Sequence, residues 1–178
     1  VDGLKTGASE TAGVSFVATL QQNNMRILTV VLLAKQGQDY PVNRFSATNE
    51  LIDYVFNNFS LTTLVEKGSQ YQSSAVEIFN GQSAKAKAVA MTDLYAIIRT
   101  GSTATVSAEY TDQPTVLDAP VEKGQPLGTL NLVDKDLVGQ GYLDQQPSVE
   151  MVAAKTIPAA IWPVSWWNHV VRYVNENL

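Results

Sequence analysis

From Leu61 to about Ile157 the chain is a succession of short β-prone runs broken by glycine-bearing turns, and this punctuation constrains the fold most. Ala75–Phe79, Leu94–Ile98 and Thr103–Ala108 are the clearest runs, with Lys67-Gly68, Asn80-Gly81, Thr100-Gly101 and Lys123-Gly124 as turn signals. Strands with turns at short, roughly regular intervals predict a small antiparallel β domain. A domain boundary is placed near residue 60, where this pattern begins.

The residues before it read as strand, hairpin and helix. Val14–Leu20 is β-rich, and Met25–Leu33 is an almost continuous apolar run that predicts a strand buried on both faces. Gln21–Asn24 lies between them as a hairpin turn. Beyond a polar loop containing Gly37 and Pro41, a helix is predicted from about Ser46, its N-cap, to Phe59. Leu51, Val55 and Phe59 recur at i+4, with Ile52 and Phe56 beside them on one face.

The last segment, 158–178, is helical and strongly amphipathic. Pro163 suits the first turn of a helix. Trp162, Trp166, Trp167, Val170, Tyr173 and Val174 share one broad arc with Val164, Val171 and Leu178, interrupted only by Asn177. Ser165, Asn168, His169, Arg172, Asn175 and Glu176 occupy the other arc. Such a tail either docks on the protein's own core or lies in a membrane interface, where Trp and Tyr prefer the water–lipid boundary. His169, the sole histidine, reads as an exposed residue of the polar arc.

Composition closes off several functions. With 45% hydrophobic and 16% charged residues a packed core is expected. A net charge of -5 without any Lys/Arg cluster excludes nucleic acid as a partner. The absence of cysteine excludes disulfides, thiolate metal sites and a cysteine nucleophile. Asp134, Asp136 and Asp144 lack the ordered spacing and glycine of a calcium loop. No run reaches the roughly eighteen apolar residues of a membrane span. Val1-Asp2-Gly3 has neither part of a signal peptide, and the opening residues read as an internal start.

Those opening residues carry chemistry. Lys5-Thr6-Gly7 is one of three short motifs of the penicillin-binding and serine β-lactamase superfamily, beside Ser-x-x-Lys and Ser-x-Asn. A Lys cation and a Thr hydroxyl on an edge strand can hold a carboxylate. Gly allows close backbone approach, and a backbone N–H just beyond can point at a developing oxyanion. As three letters the motif is weak, but its context is longer. The run Val1–Gly13 resembles the third-motif region of the low-molecular-mass penicillin-binding proteins, the serine D-alanyl-D-alanine carboxypeptidases. Met25–Leu33 resembles the next strand of that family. Arg44-Phe45, Leu51 and Tyr54–Phe56 resemble the helix that closes its catalytic domain. Leu64–Gly68 and Ala119–Leu130 resemble its C-terminal β domain.

The resemblance implies an α+β fragment (1–60), the end of a β-lactamase/transpeptidase-like domain. A small antiparallel all-β domain (61–157) and a terminal amphipathic helix (158–178) follow. It implies a serine enzyme at the extracytoplasmic face of a bacterial membrane, secreted and peripherally anchored by the tail. That enzyme removes terminal D-alanine from peptidoglycan stem peptides ending in D-Ala-D-Ala through an acyl-enzyme, and β-lactams acylate the same serine. No metal or organic cofactor is implied. On this reading Lys5 supplies positive charge, Thr6 bonds the substrate carboxylate, Gly7 permits close approach and the Ala8 N–H completes the oxyanion hole. Ala8 stands where relatives often carry a polar residue, so a side-chain role there is not expected. No serine has Lys three positions on or Asn two positions on. The nucleophile and base are therefore expected outside these residues, and the chain alone is expected to be inactive. The alternative is a non-catalytic β-rich stand-off or interaction module with a membrane-surface or core-docking tail.

Overall fold

The computed structural model describes residues 2–11, 13–35, 43–101, 106–135, 141–142 and 145–177. Two compact units are present: residues 1–62 with 97–103, and residues 63–96 with 104–178.

The first unit holds a three-stranded antiparallel sheet of β1 (Lys5–Ser9), β2 (Gly13–Gln22) and β3 (Met25–Ala34), in the order β1-β2-β3. Asn23 and Asn24, at φ 51 and 60, close the β2–β3 hairpin. Asparagine tolerates this left-handed backbone, which matches the twist of a two-residue hairpin. Helix α1 (Arg44–Asn58) follows. Its N-cap is Asn43 rather than Ser46. The Asn43 side chain accepts from the Phe45 and Ser46 N–H groups, and the Ser46 hydroxyl accepts from the Asn43 N–H. Ser46 is thus the returning half of a capping box. Thr48 and Ile52 are the buried positions of α1, whereas Leu51 is exposed and Phe59 has left the helix for a strand.

The sheet is two-faced. Val14 and Ala18 of β2 and Met25 and Thr29 of β3 are buried, and Phe16 meets Phe45 of α1 edge to face at 5.2 Å. The opposite face carries Leu28, Val30 and Leu32, which are 63%, 51% and 69% exposed. The strand expected to be buried on both faces is therefore covered on one only. Past Arg26 its outer side chains are apolar, as a two-sided burial requires, but among the described residues only the α1 side is closed.

Strands β4 (Phe59–Val65) and β7 (Leu94–Arg99) pair as a two-stranded ribbon. The second unit is built on a six-stranded sheet of β5 (Ala75–Phe79), β6 (Lys85–Ala90), β8 (Val106–Thr111), β9 (Val116–Asp118), β10 (Pro126–Asp134) and β11 (Ser148–Ala153). The strand order is β8-β10-β11-β6-β5-β9. Alternation assigns its core: Ala86, Ala88 and Ala90 of β6 and Val149, Met151 and Ala153 of β11 are buried, while Lys85, Lys87 and Glu150 point out. Leu127, Leu130, Val76 and Val121 complete a fully enclosed cluster.

The sheet departs from the expected all-antiparallel domain at one edge, where β9 lies parallel to β5 (Glu77↔Val116, Phe79↔Asp118). Parallel neighbours need a crossover, and the chain through β6, β7 and β8 supplies it. The run predicted at Thr103–Ala108 is strand from Val106 to Thr111, and Thr103 lies outside the described residues. Gly37, Pro41, Asp136, Asp144 and Leu178 lie outside them too. The chain ends in α2 (Val164–Asn177).

Candidate substrate-binding edge and terminal helix

Lys5-Thr6-Gly7-Ala8 lies on β1, which has β2 on one side and stands at the edge of its sheet. Alternation and register assign the side chains to faces. Thr6 opposite Phe16, and Ala8 opposite Val14, share the α1 face. Lys5 opposite Val17, and Gly7 opposite Ser15, share the uncovered face with Val30, the partner of Val17 on β3. Lys5 is exposed, and its ammonium donates to the Thr6 carbonyl at 2.7 Å. A carboxylate lying along this edge would meet the Lys5 cation from one face and the Thr6 hydroxyl from the other.

Gly7 sits close against the neighbouring strand. A Cβ placed on it would stand 2.6 Å from the Ser15 hydroxyl oxygen on the neighbouring strand. A cleft of about 670 Å³ in this unit is lined by Ala8, Ser9, Glu10, Gly13, Val14 and Leu33. Of the four predicted site residues only Ala8 lines it. Lys5, Thr6 and Gly7 are brought together on the strand edge rather than in an enclosed pocket.

The terminal helix sits on the second unit by its polar arc. The Asn80 amide donates to the Ser165 hydroxyl at 2.9 Å, lies 3.3 Å from His169 Nε2, and accepts from the Asn168 amide at 3.3 Å. Arg172 pairs with Asp118 at 3.0 Å and stacks over the Phe79 ring at 4.6 Å. His169 meets the same ring edge to face at 5.4 Å. The other arc stays open: Trp162, Trp166 and Tyr173 are 80%, 60% and 69% exposed, and Trp167, Val171 and Val174 are exposed as well. Val170 is half-buried. Between the helix and β5, Trp167 and Val171 border a cleft of about 700 Å³ with Ile78, Asn80 and Val116.

Sequence reasoning missed Asn80, Phe79 and Asp118 as the receiving surface; His169 is exposed, as expected, and in addition meets Asn80 and Phe79. Periodicity sorts residues into arcs but does not say which arc a distant strand edge will meet. The one available signal was Asn80-Gly81 as a tight turn. Asn80 sits at φ 57, and a Cβ on Gly81 would approach Ile78 Cγ2 to 2.7 Å.

Elsewhere, Asp93 accepts from the Lys67 N–H and from the Tyr95 hydroxyl, each at 2.7 Å. The Lys67 N–H above all, and then the Tyr95 hydroxyl, hold its carboxyl below the usual aspartate value, and the same bond raises Tyr95. Among the described residues no group of three His, Cys, Asp or Glu is arranged to hold a metal ion. Among them, no helix is long and apolar enough to cross a membrane.

The architecture defines a β-rich domain closed by an amphipathic helix. Residues 59–159 match the family described as penicillin-binding protein 5, C-terminal domain, and the chain belongs to that family. It is 30% identical over 151 residues to D-alanyl-D-alanine carboxypeptidase DacC of Escherichia coli (strain K12), a match covering 85% of this chain and 35% of that protein. It is 29% identical over 174 residues to D-alanyl-D-alanine carboxypeptidase DacA of the same strain, covering 98% of this chain and 39% of that protein. The chain thus spans well under half the length of these curated relatives. Among solved structures it resembles a peptidoglycan synthesis regulatory factor (PBP3) of Streptococcus pneumoniae. The TM-score is 0.72 at 43% identity, over 88% of this chain and 42% of that one. Penicillin-binding protein 5 of Haemophilus influenzae aligns with a TM-score of 0.57 at 25% identity, over 87% and 42% of the two chains.

Proposed function

We propose that this chain is the C-terminal part of a serine D-alanyl-D-alanine carboxypeptidase and supplies the substrate-binding strand of its active site. The relatives carrying that activity in their names support the reaction class. The observation that carries the reading is the uncovered sheet face: Lys5 projects from the side on which Leu28, Val30 and Leu32 are bare. Burying that face would stabilise the sheet by roughly 25 cal/mol per Å² of apolar surface covered. An element seated there would bring its own side chains beside Lys5, and the missing serine and its base belong on such an element.

In this site a stem peptide lies along the outer edge of β1. Its terminal carboxylate is held between the Lys5 ammonium and the Thr6 hydroxyl. A serine from outside these 178 residues attacks the penultimate D-alanine carbonyl, and the terminal D-alanine leaves as a free amine. The Ala8 N–H, with the N–H of that serine, stabilises the oxyanion. Water then hydrolyses the acyl-enzyme, and β-lactams stop at the acylated stage. Residues 1–60 serve catalysis, 61–157 form the β domain, and 158–178 anchor the protein at the extracytoplasmic membrane surface. The exposed arc of Trp162, Trp166, Tyr173 and Val174 supports that anchoring role.

The test is D-alanine release by a polypeptide that carries this chain together with a segment containing Ser-x-x-Lys. Lys5→Ala and Thr6→Ala should each lower kcat/KM about 100-fold or more. Full activity in both variants would refute the assignment. A second reading, in which residues 61–178 act as a stand-off module that sets the height of catalysis above a membrane, rests on the same exposed arc. It is compatible with the first.

A further inference from the structure

An isolated helix as short as α2 is marginal in water, and most helical stability in proteins comes from packing of the apolar face. Here the apolar face is the open one. The hydrogen bonds and the ion pair that tie α2 to the β domain come from the polar arc, which would ordinarily be solvated.

The contacts converge on the β5–β6 turn and the end of β9. The approach to α2 is stitched down first: Ile157 and Val121 exchange backbone bonds at 2.7 and 3.0 Å, and the Gln82 N–H donates to the Pro158 carbonyl at 2.9 Å. The Ala160 N–H donates to the Asn80 carbonyl at 2.7 Å. The Asn80 side chain then engages Ser165, Asn168 and His169, which share one face of the first turns of α2. One turn on, Arg172 reaches Asp118, which lies opposite Phe79 on the paired strand, and covers the Phe79 ring. Asn80 thus holds the helix through both its backbone and its side chain. Asp118 holds it again further along.

We propose that Asn80 and Asp118 form a clasp that keeps α2 folded on the β domain in water, so that its aromatic face is presented to a lipid surface ready-made rather than formed on contact. The identity of that surface rests on the anchoring role proposed above, whereas the clasp itself does not. With α2 docked by its polar arc, Trp162, Trp166 and Tyr173 stay exposed, while Trp167 borders the cleft beside Asn80. Binding then needs no ordering of the tail, so the usual entropic cost of coupled folding is absent. The clasp also fixes the angle at which the β domain stands on whatever α2 binds.

The experiment is amide hydrogen exchange across residues 165–177 of the full chain. It is run with and without vesicles of phosphatidylglycerol and phosphatidylethanolamine, for wild type, Asn80→Gly and Asp118→Asn. Glycine keeps the left-handed turn at position 80 while removing the side chain, and Asn keeps the shape of Asp118 while removing its charge. The expected result is a tail protected in wild type without vesicles, with exchange about tenfold faster in each variant. Vesicles should restore protection in the variants and change little in wild type. A wild-type tail unprotected in water and ordered only by vesicles would overturn the clasp, as would variants that exchange no faster than wild type. A tail protected in water but failing to co-sediment with vesicles would uphold the clasp and remove the anchoring role.

Discussion

Gly7 and Ser15 face each other across β1 and β2 so closely that a Cβ at position 7 would stand 2.6 Å from the Ser15 hydroxyl oxygen. The glycine of the Lys-Thr-Gly motif therefore also leaves room for the Ser15 side chain, quite apart from any substrate. Gly7→Ala should destabilise the β1–β2 pairing by about 1 kcal/mol, because the serine must rotate or the strands must part. Ser15→Ala removes the offending oxygen. The double variant should recover most of the loss, read as amide-exchange protection along β2.

The bare face makes a context-dependent prediction. Leu28→Ser and Leu32→Ser expose nothing new in this chain and should leave its unfolding within about 0.5 kcal/mol of wild type. In a longer polypeptide that buries this face, each should cost about 2 kcal/mol or more and lower activity in parallel. Equal, small effects in both settings would mean that nothing covers the sheet.

In the β domain the core is closed. Leu130 is fully buried, and Leu130→Ala should cost about 2–5 kcal/mol in thermal unfolding. Gly81→Ala should cost about 1–3 kcal/mol, since its Cβ would press on Ile78, on Ile157 and on the Ser83 carbonyl. It would also disturb the strand bridge that leads into α2.

Asp93 sets a pH dependence of known sign. Its native pKa is depressed, first by the Lys67 N–H and then by the Tyr95 hydroxyl. The stabilisation is therefore complete above the ordinary aspartate value, near 3.9, and is lost as pH falls through the lower native value. Asp93→Asn should melt earlier than wild type at neutral pH, and the two melting curves should converge as pH falls below about 4. Divergence on acidification would contradict the assignment.

Local rules carried much of the architecture. The β5 run was legible to the residue, because β-branched and aromatic positions stand between clear turns. The β2–β3 hairpin was legible from the polar run Gln21–Asn24, although Gln21 and Gln22 belong to β2 and the turn is Asn23-Asn24. What local rules missed is non-local. Ser46 and Asn43 are both acceptable caps, and only the reciprocal bonds choose between them. The parallel pairing of β9 with β5 joins residues far apart in sequence, with no turn signal to announce it. The apolar run Met25–Leu33 advertises two buried faces because its sequence is suited to both. On β1, the motif and its flanks singled out Lys5, Thr6, Gly7 and Ala8 as candidates, whereas their division between opposite faces came from register. The docking of the polar arc on Asn80 was invisible for the same reason, since a helical wheel contains no information about the partner.

The central claim is that β1 is one wall of a site whose nucleophile lies outside these 178 residues. Labelling with a fluorescent penicillin tests it most directly, applied to this chain and to a polypeptide joining it to a Ser-x-x-Lys segment. The predicted result is no covalent label on this chain, strong label on the longer polypeptide, and label reduced about 100-fold by Lys5→Ala. A penicilloyl adduct on any serine of this chain would contradict the account, as would full labelling of the longer polypeptide after Lys5→Ala.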